Sequence, residues 1–169
     1  LQLARVYGEL GALEPMFETY LTLMESTPRF IPSIQRYLDT YITEDPLNPG
    51  NIELKTALIK RLSQVQEPLY NSLLSWLFAQ QKEYGKAFIQ EKAIFMRSPG
   101  DLTGIKQLGY AALNDQQPIM AKTIFSFVLE TAVDPRERLA AHLEILRLDR
   151  SMKQRPAQEI ELSYTELIQ

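Results

Sequence analysis

A short pattern of small and bulky side chains returns along this chain at a fixed interval. Leu74-Ser75, Phe78, Tyr84, Ala87 and Pro99 form one instance, and Leu108-Gly109, Ala112, Ala121 and Phe125 a second. Ser75 to Gly109 and Ala87 to Ala121 are each 34 residues. A third instance is Leu3-Ala4, Tyr7, Gly11, Leu13, Met16, Tyr20 and Pro28. It places Ala4 71 residues before Ser75, two periods plus three residues, an excess the turn at 46–51 can absorb. Recurrence on this scale constrains the chain to one supersecondary unit, repeated and stacked, because a single unit cannot bury its own apolar face. Small residues let the two helices of a unit approach closely, and bulky ones fill the space between units.

Proline marks the boundaries. It suits the first turn of a helix, where its missing N–H costs nothing, and it breaks helix interiors. Pro68, Pro118, Pro135 and Pro156 fit the first-turn slot, with Asp134 as a cap before Pro135. Pro46-Leu47-Asn48-Pro49-Gly50-Asn51 and Ser98-Pro99-Gly100-Asp101 read as turns. Between them apolar residues recur at helical spacing, as in Tyr70, Leu73, Leu74 and Leu77, or Ile160, Tyr164, Leu167 and Ile168. No stretch alternates long enough to form a strand. Ten helices are predicted, near 1–11, 15–26, 31–44, 51–66, 69–82, 84–97, 101–115, 118–132, 135–150 and 156–168. They pair into hairpins at about 1–28, 29–67, 68–99, 100–133 and 134–169. With 169 residues, 45% of them apolar and 23% charged, the chain is expected to form a single all-α domain.

The segments 1–28, 68–99 and 102–135 resemble the tetratricopeptide repeat, whose first helix carries Leu, Gly or Ala and Tyr, and whose second carries Ala, an aromatic and Pro. The segments 29–67 and 136–169 match by period and helix pairing alone. Three residues depart from the motif: Glu91 replaces an aromatic, Ala112 a tyrosine, and Pro118 opens a second helix. No repeat carries the leading tryptophan. The resemblance implies a right-handed α-solenoid of antiparallel helix pairs, with the first helix of each pair lining a concave groove. It implies a protein–protein interaction module or scaffold that holds a segment of another protein or peptide there. The outward positions carried over are Arg5 and Glu9, Gln35 and Asp39, Ser72, Trp76 and Gln80, Lys106, Tyr110 and Asn114, and Glu144 and Arg147. Trp76 and Tyr110 fall in the same slot of successive repeats and are the expected anchors, since aromatic side chains dominate binding hot spots. Only Lys106 and Asn114 echo the basic-plus-asparagine pattern that clamps a C-terminal carboxylate in some members, so a chaperone-tail partner is not expected. The alternative is a helical arm of a larger enzyme or of a secretion or assembly machine, with the chemistry outside this segment.

The residues themselves narrow the chemistry. There is no cysteine and one histidine, which removes thiolate and His-rich metal sites. No phosphate-binding glycine motif or nucleophile elbow occurs. The chain is expected to be no enzyme and to have no cofactor. His142 shares a stripe with Leu139, Leu143 and Leu146 and is expected to be a packed histidine with one hydrogen-bond partner. Glu91 is expected to reach solvent along its stem, the alternatives being pairing with Lys122 or Lys92. Arg147, Arg150, Lys153 and Arg155 read as a solvated helix end. A net charge of −3 gives no basic excess for nucleic acid. The longest apolar run, Leu73 to Ala79, is far short of the ~20 residues that span a bilayer. Leu1 starts inside a predicted helix, and apolar residues close the last one. This reads as a segment of a longer protein, with self-association through these ends as a further expectation.

Overall fold

The computed structural model describes residues 1–153. Among these the regular structure is helical throughout, with no strand. The α-helices are α1 (Gln2–Glu9), α2 (Leu13–Ser26), α3 (Ile31–Leu38), α4 (Pro49–Gln64), α5 (Pro68–Gln80), α6 (Tyr84–Arg97), α7 (Thr103–Asn114), α8 (Pro118–Thr131) and α9 (Pro135–Lys153). A short 3-10 turn, Pro28–Phe30, leads into α3. The helix predicted over 156–168, with Pro156 and Arg155, lies outside the described residues. The chain divides into two compact units, Leu1–Gln81 and a second beginning at Lys82, so the boundary falls inside the 68–99 hairpin that the repeat predicts.

In the first unit α2 packs on α1, α3 and α4, and α4 packs on α5. Phe17, Leu21 and Met24 of α2 meet a core that includes Ile34, Leu38, Leu54, Leu58, Leu73 and Leu77, all almost fully buried. The third helix ends at Leu38 rather than near 44, and α4 starts at Pro49. Proline at 49 therefore opens a helix instead of lying in a turn. The Asn48 side chain caps α4 by accepting from the N–H of Gly50 (2.8 Å) and of Asn51 (3.4 Å). Asn51, wholly buried, then holds the intervening loop. Its Nδ2 donates to the carbonyls of Thr43 (2.8 Å) and Asp45 (2.6 Å), and its Oδ1 accepts from the Thr43 N–H (3.2 Å). Gly50 is required there, because a Cβ would collide with the carbonyl oxygen of Tyr41.

In the second unit α6 packs on α7 and α8, α7 on α8, and α8 on α9. Gly109 allows the close approach of α7 to α8: a Cβ at that position would lie 3.0 Å from Phe125 and 3.2 Å from Ile124. Phe127 receives the rings of Phe88 and Phe95 edge-on, each with centroids 5.5 Å away. Asp134 accepts from the Arg136 N–H (2.8 Å) and caps α9 as its sequence predicts. The small residues of the repeat, Ala4, Ser75, Ala87, Gly109 and Ala121, are all buried.

Two helix-ending turns are built alike. After α1, the Ala12 N–H reaches the Tyr7 carbonyl (2.9 Å) and the Gly11 N–H that of Gly8 (3.0 Å). After α7, Gln117 reaches Ala112 (2.9 Å) and Gln116 reaches Leu113 (3.1 Å) in the same way. This is a left-handed C-terminal cap. Its left-handed residue is Gly11 (φ +70°) in one and Gln116 (φ +59°) in the other, and Lys82 (φ +57°) follows α5. From Gly11 to Lys82 is 71 residues and from Lys82 to Gln116 is 34, the intervals at which the side-chain pattern returns.

Two expectations for single residues are corrected. His142 is exposed, not packed, and Leu139, Leu143 and Leu146 are exposed beside it. The buried residues of α9 are Ala141 and Leu148. The stripe was read correctly as helical spacing, but α9 has a second apolar face, and that one meets α8. Glu91 is half-buried, and its carboxylate lies against Gly104 in the first turn of α7, where the helix dipole favours a negative charge.

Candidate protein-binding surface

The first helices of the predicted pairs in the second unit frame a surface hollow of about 430 Å³. From α7 come Thr103, Lys106, Gln107 and Tyr110, and from α9 Arg136, Glu137 and Ala140. The helix period explains the α7 set, since 103, 106, 107 and 110 lie on one face at i, i+3, i+4 and i+7. Their opposite face carries Ile105, Leu108 and Ala112 into the core.

Lys106 Nζ donates to the Glu137 carboxylate and links the two walls. Both partners are about one-third exposed, so the pair contributes little to stability, roughly 0–1 kcal/mol. Its role is to consume the charge of Lys106. Arg136 is exposed at the rim. Tyr110 is 44% exposed although its ring meets buried Phe125 at 5.1 Å and 66°. One edge of the phenol is thus fixed by the core while the rest faces solvent. A rigid aromatic of this kind offers contact area at low entropic cost.

Of the residues carried over from the resemblance, Lys106 and Tyr110 line this hollow. Asn114 is exposed at the end of α7 and Arg147 is exposed on α9. Arg147 Nη1 donates to Glu144 (2.7 Å), and none of these three residues lines the hollow. In the first unit Arg5 is exposed, hydrogen-bonds the Tyr37 hydroxyl and lies 4.2 Å over the Tyr37 ring. Tyr37 in turn stacks on buried Tyr20, with centroids 6.4 Å apart. Glu9, Asp39, Ser72 and Gln80 are exposed, while Gln35 and Trp76 are half-buried. Sequence reasoning missed Thr103, Gln107, Arg136, Glu137 and Ala140. The helical period of α7 could have found Thr103 and Gln107. The contribution of α9 needed the α7–α9 geometry.

A second polar feature, also missed, stands in the first unit. Arg61 of α4 donates through Nη2 to Glu18 Oε2 (2.5 Å) and Thr22 Oγ1 (3.0 Å), and through Nη1 to Glu25. Tyr70 of α5 donates to the same Glu25 (2.6 Å). Burial works against the Arg61 charge, but the hydrogen bonds with Glu18, Tyr70 and Glu25 outweigh it and hold the proton more tightly than usual. The cluster ties α2, α4 and α5 together. Its sequence signal is Glu18, Thr22 and Glu25 on one face of α2.

Among the described residues no three His, Asp or Glu side chains gather as metal ligands, and no helix is long and apolar enough to cross a membrane. No family of known proteins matches the chain, and neither does any curated protein or solved structure.

Proposed function

We propose that this chain is a protein-interaction scaffold of tetratricopeptide type. In this reading its helix pairs stack as a right-handed α-solenoid, and it binds a segment of another protein against the first helices. Support for the repeat comes from the left-handed turn residues, which recur at 71 and 34 residues, and from the buried small residues at the same phase. The observation that carries the binding site is Tyr110, held edge-on by Phe125 yet open to solvent beside Arg136.

The chemistry of the hollow describes the partner. With Lys106 committed to Glu137, Arg136 is the cation at the rim, and it suits a carboxylate. Tyr110 suits an aliphatic or aromatic side chain one or two residues away. An extended peptide with an apolar residue next to an acidic one meets both. Screening a displayed peptide library against the full chain tests this. Selected peptides should share an apolar–acidic pair. Tyr110→Ala should weaken them at least tenfold, about 1.4 kcal/mol, and Arg136→Glu should reverse the preference for acid. Retained affinity in both variants would remove the hollow as the binding site.

A further inference from the structure

Helix α9 is apolar on two opposed faces. Ala141 and Leu148, each 3% exposed, lie on the face that packs against α8, with half-buried Ile145 and Met152 beside them. Leu139, Leu143 and Leu146 are 60%, 45% and 51% exposed. At about 100° per residue, Leu139 and Leu148 stand half a turn apart. A helix that is hydrophobic all round is one that neighbours enclose, and α8 accounts for one side only.

We propose that residues 156–168 of the same chain are the missing neighbour and dock on the Leu139/Leu143/Leu146 face. Three features of the chain favour this occupant. The first is connection: α9 runs to Lys153, and two residues, Gln154 and Arg155, separate it from Pro156, which fits the first turn of a returning helix. The second is register. The predicted stripe Ile160, Tyr164 and Leu167 spans seven residues, as does Leu139 to Leu146, about 10.5 Å along a helix in each case. An antiparallel return sets Ile160 opposite Leu146, Tyr164 opposite His142 and Leu167 opposite Leu139. The third is charge: Arg138, Arg147 and Arg150 are exposed on α9, and Glu159, Glu161 and Glu166 belong to the segment. A link this short gives the segment an effective concentration in the millimolar range, well above that of a second copy. The inference is independent of the α7–α9 hollow.

The absence of native cysteine makes the test direct. In the full chain, His142→Cys is combined in turn with Ser163→Cys, Tyr164→Cys and Leu167→Cys, so that a one-turn error in register is covered. Mild oxidation should close at least one pair into a disulfide within a single chain. Only chain-to-chain disulfides, or none, would overturn the proposal. A second measurement uses Leu143→Asp. On a bare face the change leaves Tm unmoved. Beneath a docked segment it lowers Tm by about 4 °C or more, independently of protein concentration. An unchanged Tm, or a loss that disappears on dilution, would also overturn it.

Discussion

Asn51 shows how much one side chain can fix. Its amide meets three backbone groups of the loop between α3 and α4, and it does so with no exposure to water. Removing it leaves buried polar groups unpaired, which costs about 2–3 kcal/mol. Asn51→Ala should lower the urea midpoint accordingly. Asn51→Asp should be worse near neutrality, because a carboxylate would face the Thr43 and Asp45 carbonyls where an N–H₂ now donates. The folded state would then hold that acid's proton more tightly than the unfolded chain. The variant should recover stability on acidification and lose it as the pH rises through the raised pKa. Urea titrations across the acid range check the sign.

At the scale of elements, proline and capping residues were informative because they act within one turn. Pro68, Pro118 and Pro135 each open a helix as their local chemistry requires. Pro49 was misread because Pro-Gly-Asn also suits a turn. What decides for a helix is the cap by Asn48 together with the grip of Asn51 on a loop eight residues back. Long-range contact of this kind leaves no local mark. The same limit explains α9, where the sequence pattern identifies apolar spacing but not which face meets α8. The hollow was half legible: Lys106 and Tyr110 follow from the repeat, whereas Arg136 and Glu137 depend on how α9 is placed. The turns carry their own prediction. Lys82 and Gln116 occupy a left-handed conformation that costs an L-residue roughly 1 kcal/mol, and Gly11 already avoids that cost. Lys82→Gly and Gln116→Gly should each raise stability by about 0.5–1 kcal/mol, read as a higher urea midpoint with an unchanged slope.

For the molecule as a whole, alkaline pH should act first on the unit formed by residues 1–81. Burial, with the neighbouring Tyr41, holds the Tyr20 phenol above its ordinary pKa of 10.0. Burial and the hydrogen bond to Glu25 do the same for Tyr70. The folded state therefore binds these protons more tightly than the unfolded chain. The stability they contribute is complete below pH 10 and is lost as the pH rises through the folded values. Trp76, the one tryptophan of the sequence, belongs to this unit and reports its unfolding. Its fluorescence should show a urea midpoint that falls between pH 9 and 11, with a shallower fall in Tyr70→Phe. A midpoint flat across that interval would contradict the assignment. The loop suspended from Asn51 also bears on ageing. Hydrolysis of that single amide during storage would produce the same carboxylate as the engineered substitution. The shelf life of the folded protein then depends on how well α4 keeps water from one carboxamide.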